Sequence, residues 1–198
     1  VNRDAGPLSA ISCGIFRKEI ERLDQSVLGG MRPVFLDSMM HMRPAALDVA
    51  LSRIISKHPG ERFLLIYGDC SPHIQSLSAR PGVSRVEGTN CCEILLGRDA
   101  YRELRKEGVF FFLPEWTERW KDVFLRELGL TAPDIAQEFM HEFHKRLMYL
   151  DTGVDAIPKD TLEEISKYFG IPVEINAIGL ECFSRAVDQG LRRLNRNA

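Results

Sequence analysis

The segment "RFLLIYGDC", Arg62 to Cys70, constrains the fold more than any other. Phe63 to Ile66 is a continuous apolar run, and only a strand covered on both faces hides every side chain of such a run. Comparable runs recur in "SAISCGIF", "RPVFLDSMM", "VFFFLP" and "MYLDTG". Helical patterns lie between them. The clearest is "RPAALDVALSRIISKHPG", where Ala46, Val49, Ala50 and Ile54 recur at helical spacing before a Pro-Gly stop. Strand and helix in alternation predict a three-layer α/β fold, a mostly parallel sheet with helices on both faces. We expect one α/β domain over residues 1–198, with residues 1–8 ("VNRDAGPL") as a loose end. Ile11, Phe35, Leu65 and Phe111 should then share one sheet, with "VSRVEG" as an edge-like strand.

Bulk properties narrow the function classes. A chain of 198 residues with 44% hydrophobic and 27% charged residues has enough apolar mass for one sizeable core. Its net charge of −2 removes the usual electrostatic basis for binding nucleic acid or an acidic membrane. No apolar stretch approaches the roughly 20 residues of a membrane helix, so the expected location is cytoplasmic. GxGxxG and GxxxxGK[ST] are both absent, which leaves nucleotide use without support.

The five cysteines are too few, and odd in number, for a disulfide scaffold; no CxxC pair occurs. Any metal site must be assembled from distant segments. In open parallel sheets ligands bind beyond the carboxyl ends of the strands. Here the first strand ends at Cys13, the second runs into His41, the third ends at Cys70, and the fourth leads into a helix start at Cys91. Three thiolates and an imidazole form a zinc set; iron, nickel or an iron–sulfur cluster would also suit them. Cysteine is also a common core residue, and burial is the competing use of each thiol. Core filling gives no reason for strand-end positions beside Gly, Asp and Asn, so we expect the sulfurs of Cys13, Cys70 and Cys91 to converge with His41 near them.

Cys91 and Cys92 point about 100° apart at a helix start, so only one can face the strand ends. Cys91 is nearer the cap, where free amides favour a thiolate; Cys92 and Cys182 read as packing residues. Asp69, His73 and Glu93 are candidate acid, base or ligand groups, each with an alternative use as a cap or turn residue. His141 and His144 are spaced one helical turn apart, as are Trp116 and Trp120, where a contact pair is the default and Trp116 could wall the pocket.

The ordered landmarks "SCGIFRKEI", "MMHMRPAAL", "IYGDC", "NCCEILLGRDAYREL", "FFFLPEW" and "YLDTG" resemble the archaeal and bacterial family known as domain of unknown function 1638. The family pattern has Cys-Gly after the first strand, His-x-x-Pro, Tyr-Gly-x-Cys, and a cysteine ahead of Leu-Leu-Gly. It falls on Cys13, His41, Cys70 and Cys91, and the place of Cys92 is usually aliphatic. Ser71-Pro72 replaces a frequent glycine, and Thr89-Asn90 replaces a frequent His-Asp, which removes an added acid–base group there. The association of such proteins with corrinoid-dependent methyltransferase systems implies one-carbon metabolism, with a corrinoid protein or methyltransferase as partner.

Together these readings lead to an expected zinc-dependent enzyme or enzyme component acting on a small-molecule substrate, with methyl or thiol transfer as its most specific form. The rivals are a metal carrier or accessory protein without turnover, and a structural zinc site.

Overall fold

The computed structural model describes residues 6–196. Most of the segment expected to be a loose end therefore lies outside the described residues, and its last residue, Leu8, opens the first strand. The chain divides into two compact units, residues 1–97 with 181–198, and residues 98–180.

The first unit carries a four-stranded parallel sheet in the order β2-β1-β3-β4, formed by Leu8–Cys13, Arg32–Leu36, Arg62–Ile66 and Val83–Arg85 numbered along the chain. One face packs Ile11, Phe63, Leu65 and Tyr67 against Leu47 and Leu51 of α3 (Pro44–Lys57) and Ile74 and Leu77 of α4 (Ile74–Ser78). The short helices α1 (Arg17–Arg22) and α2 (Gln25–Leu28) follow β1. The opposite face meets α10 (Glu181–Arg196), where Gly190 lies so near that an added Cβ would come 2.7 Å from Leu64 Cδ1. Phe183 of α10 packs on Phe16 at 5.0 Å between ring centroids. Helices thus cover both faces, which is why the strands read as unbroken apolar runs.

The second unit holds a three-stranded parallel sheet, β5 (Val109–Phe112), β6 (Arg146–Asp151) and β7 (Val173–Ala177), in chain order. Phe112 of β5 meets Phe124 and Phe169 at centroid distances of 5.4 and 6.3 Å, and Phe111 faces Tyr101 of α6 (Arg98–Lys106) on the other side. The aromatic rings supply much of this unit's buried area. Its remaining helices are α7 (Pro114–Glu118), α8 (Pro133–Phe143) and α9 (Lys159–Phe169).

The three-layer α/β expectation holds, but the single sheet does not. Ile11, Phe35 and Leu65 share the first sheet, whereas Phe111 belongs to the second. An apolar run encodes burial and not which sheet it joins. The helical pattern that starts at Cys91 is two helices, α5 (Cys91–Leu96) and α6, because Gly97 adopts φ +79°, outside helical geometry. After Pro114 the chain forms α7 and then a π-type segment, Lys121–Glu127. No helix among the described residues is long and apolar enough to cross a membrane.

Candidate thiol site at the strand ends

All four strands of the first sheet run the same way, so their carboxyl ends lie along one edge. Cys13 closes β1 opposite Leu36 of β2. Ser12 pairs with Ile66 of β3, so the next residues, Cys13 and Tyr67, stand side by side just beyond the last bonded pair. Successive strand residues alternate faces, and Ile11 and Leu65 belong to the α3/α4 side; Cys13 and Tyr67 share that side. Cys70 packs against the same cluster.

The turn after β3 is held in place by a close backbone crossing. A Cβ on Gly68 would come 2.5 Å from Asn90 Cα and 2.5 Å from Thr89 O. Only glycine permits this approach, and the Asp69 amide donates to Thr89 O at 2.7 Å. The crossing lays the Cys70 turn against the start of α5, where Cys91 stands. Asn90 caps that helix by accepting from the Glu93 amide at 3.0 Å, and the Glu93 carboxylate accepts from the Thr89 amide at 3.1 Å. This is a reciprocal capping arrangement, and Glu93 is buried within it. Arg85, at the end of β4, completes the scaffold: Nη1 donates to Tyr67 O and Gly88 O and pairs with Asp69 at 3.0 Å.

Charge coupling reports the same neighbourhood. Burial first, then a charge on Cys91 and that of Asp69, push the Cys70 thiol up to about 11 against the opposing effects of a Gly68 backbone hydrogen bond and Arg85. Burial likewise moves Tyr67 well above the usual phenol range, with the charges of Cys13 and Cys70 adding to the shift. Cys70 is thus coupled to Cys91, and Tyr67 to both Cys13 and Cys70. Among the described residues, no three His, Cys, Asp or Glu side chains are grouped so as to hold a metal ion.

His41 lies in the short 3₁₀ stretch Ser38–Met42, whose start is capped by Asp37 accepting from the Met39 amide at 2.8 Å. Its Nδ1 lies 2.7 Å from Ser38 O. A carbonyl can only accept, so Nδ1 donates to it, and in the neutral ring Nε2 then carries the lone pair through which histidine can bind a metal. His73 is largely exposed, with Nδ1 3.2 Å from Asp48 of α3, which also accepts from Ser71 Oγ at 2.5 Å. The Ser71 hydrogen bond, with a smaller part from His73, holds the Asp48 carboxyl below its usual range against the effect of burial.

The remaining sequence candidates are placed as follows. α8 ends at Phe143, so His144 leaves the helix, stacks its ring on Phe110 at 4.9 Å, and no longer shares a helical face with His141. Burial, then Arg105, lowers the His144 pKa. Trp120 packs on Tyr168 and Phe169, and both tryptophans belong to the second unit. Cys92 and Cys182 are half-buried, the latter with Sγ 3.6 Å from where a Cβ on Gly97 would stand.

The sequence reading missed Tyr67, Gly68, Arg85 and Asp48. Tyr67 and Gly68 were readable in principle, since aligning the ends of β1 and β3 sets Tyr67 beside Cys13.

No curated protein and no solved structure matches the chain. Residues 35–187 match the family model described as "Protein of unknown function (DUF1638)", a span that takes in His41, Cys70 and Cys91 but begins after Cys13, and the chain belongs to that family.

Proposed function

We propose that the carboxyl edge of the first sheet is a thiol site for a soft metal ion, zinc foremost, acting on a small molecule. One observation carries the reading. Cys13, Cys70 and Cys91, distant in sequence, stand at the same end of one parallel sheet, two beside the same buried tyrosine and two electrostatically coupled. Burial opposes ionisation of these thiols and each thiolate formed opposes the next, so Cys70 is pushed up to about 11. A divalent cation removes that obstacle, because it displaces the protons and neutralises the charge that burial disfavours.

The donor chemistry fits zinc, iron, nickel or a cysteine-held cluster. Cys13, Cys70 and Cys91 would supply sulfur, and His41 nitrogen through Nε2. The side chains are not preassembled as a cage, so closing them takes side-chain rotation about an edge whose backbone is fixed by Gly68, Asp69 and Arg85. Zinc in an open site holds a substrate thiol as a thiolate near neutral pH, which is the chemistry of methyl transfer to sulfur. A corrinoid protein or methyltransferase is the partner this narrower version requires, with Asp69, His73 and Glu93 as its candidate acid–base groups. A metal carrier without turnover uses the same donors.

Titration of the reduced apoprotein with Co(II) tests the reading. Sulfur-to-cobalt charge-transfer absorption should appear in the near ultraviolet and should fall sharply in Cys70→Ser and Cys91→Ser. A cobalt spectrum without thiolate bands, or one unchanged in both variants, defeats it.

A further inference from the structure

We propose that the Tyr67 hydroxyl is a hydrogen-bond donor reserved for the ligand of the thiol site, so that this ligand presents an acceptor atom, a thiolate sulfur or an anionic oxygen, between Cys13 and Cys70. The inference rests on the thiol-site reading and adds to it a positioning residue and a ligand class.

Tyr67 is 2% exposed, yet among the described residues its buried hydroxyl oxygen has no hydrogen-bond partner. Buried hydroxyls nearly always find partners, and an unpaired one destabilises a fold in which phenylalanine would pack equally well. The rest of the side chain explains itself: the ring belongs to the cluster of Ile11, Leu65, Leu47 and Ile74. The oxygen does not. Tyr67 itself is level with Cys13 across the β1–β3 register, and charges on Cys13 and Cys70 both act on its phenol, so the hydroxyl belongs with the edge where the site is built. A phenol keeps its proton at physiological pH, which makes it a donor there.

The test compares the wild type with Tyr67→Phe in the reduced full chain. Zinc affinity is measured by competition with a chromogenic chelator, alone and with 2-mercaptoethanol or acetate. Zinc affinity without a probe sets the baseline of each protein, and each gain is read against it. One probe should tighten zinc binding in the wild type, and that gain should fall about tenfold in the variant, the loss expected for one hydrogen bond to a charged acceptor. Dependence on 2-mercaptoethanol marks a thiolate ligand, and dependence on acetate marks a carboxylate. Equal gains in both proteins, or none in either, overturn the proposal.

Urea unfolding of the metal-free proteins provides the second readout. Tyr67→Phe should match or exceed the wild-type midpoint, because the lost hydroxyl has no partner in the fold. A clearly lower midpoint shows a structural hydrogen bond and overturns the assignment. Failure of the wild type to bind zinc counts against the metal reading, and the metal-free comparison still decides whether the hydroxyl is unpartnered.

Discussion

Replacing Gly68 with alanine probes the contact that brings the Cys70 turn to Cys91. A Cβ there meets Asn90 Cα and Thr89 O at 2.5 Å, and Asn90 N at 2.6 Å. All three are backbone atoms, so no side-chain rotation relieves the overlap. Ordinary contact demands separation by roughly 1 Å more, and overpacking of this kind costs about 1–3 kcal/mol. The same displacement strains the Asp69 N–H to Thr89 O bond and the Asn90 cap of α5. Gly68→Ala should therefore unfold at lower urea concentration and lose about tenfold or more in zinc affinity, since sulfur–metal bonding tolerates little displacement. Circular dichroism should retain the folded signature. An alanine variant with wild-type midpoint and zinc affinity would refute the argument that this crossing positions the two thiols.

Three further outcomes follow from the same geometry. Cys182→Ala should cost about 1 kcal/mol or less through a small, half-buried void and leave metal content unchanged; loss of metal would assign the ligand set wrongly. Glu93→Ala should lower stability by about 1 kcal/mol through the lost capping interaction, read by thermal unfolding, while Glu93→Gln should recover most of it. The apoprotein should lose stability as pH rises from about 9 towards 11. Cys70 is raised from an ordinary 9.0 to about 11 in the fold, so the unfolded chain releases its proton first and is favoured in that window. Urea midpoints across this range should fall in the wild type, with a smaller slope in Cys70→Ala; equal slopes would contradict the assignment.

Much of the first unit is legible in its sequence for a plain reason. "FLLI" has no polar side to face water, so it calls for helices on both faces, and "YGDC" follows where such a strand must turn. Strand ends in a parallel sheet share an edge whatever the loops do, which is why residues as distant as Cys13 and Cys91 were readable together. "VFFFLP" shows the limit. It is as apolar as the third strand, but nothing in its composition says that Arg98 begins another unit or that Phe111 pairs with β6. Gly97 carried the signal, and its tolerated place within an apparently continuous helical pattern concealed it. Tyr67 was hidden for a different reason: an aromatic at the end of an apolar run reads as core, and its ring is core. Only the register sets Tyr67 at the same edge as Cys13.

Thiol counting with and without metal tests the central claim most directly. Of the five cysteines in the reduced protein, Cys13, Cys70 and Cys91 should lose reactivity towards a thiol-specific reagent when about one equivalent of zinc is added. They should regain it on chelation, with peptide mapping of the labelled sites assigning them. Cys92 and Cys182 should label equally in both states. Zinc-independent labelling of all five, or protection that falls on Cys92 and Cys182, would contradict the account.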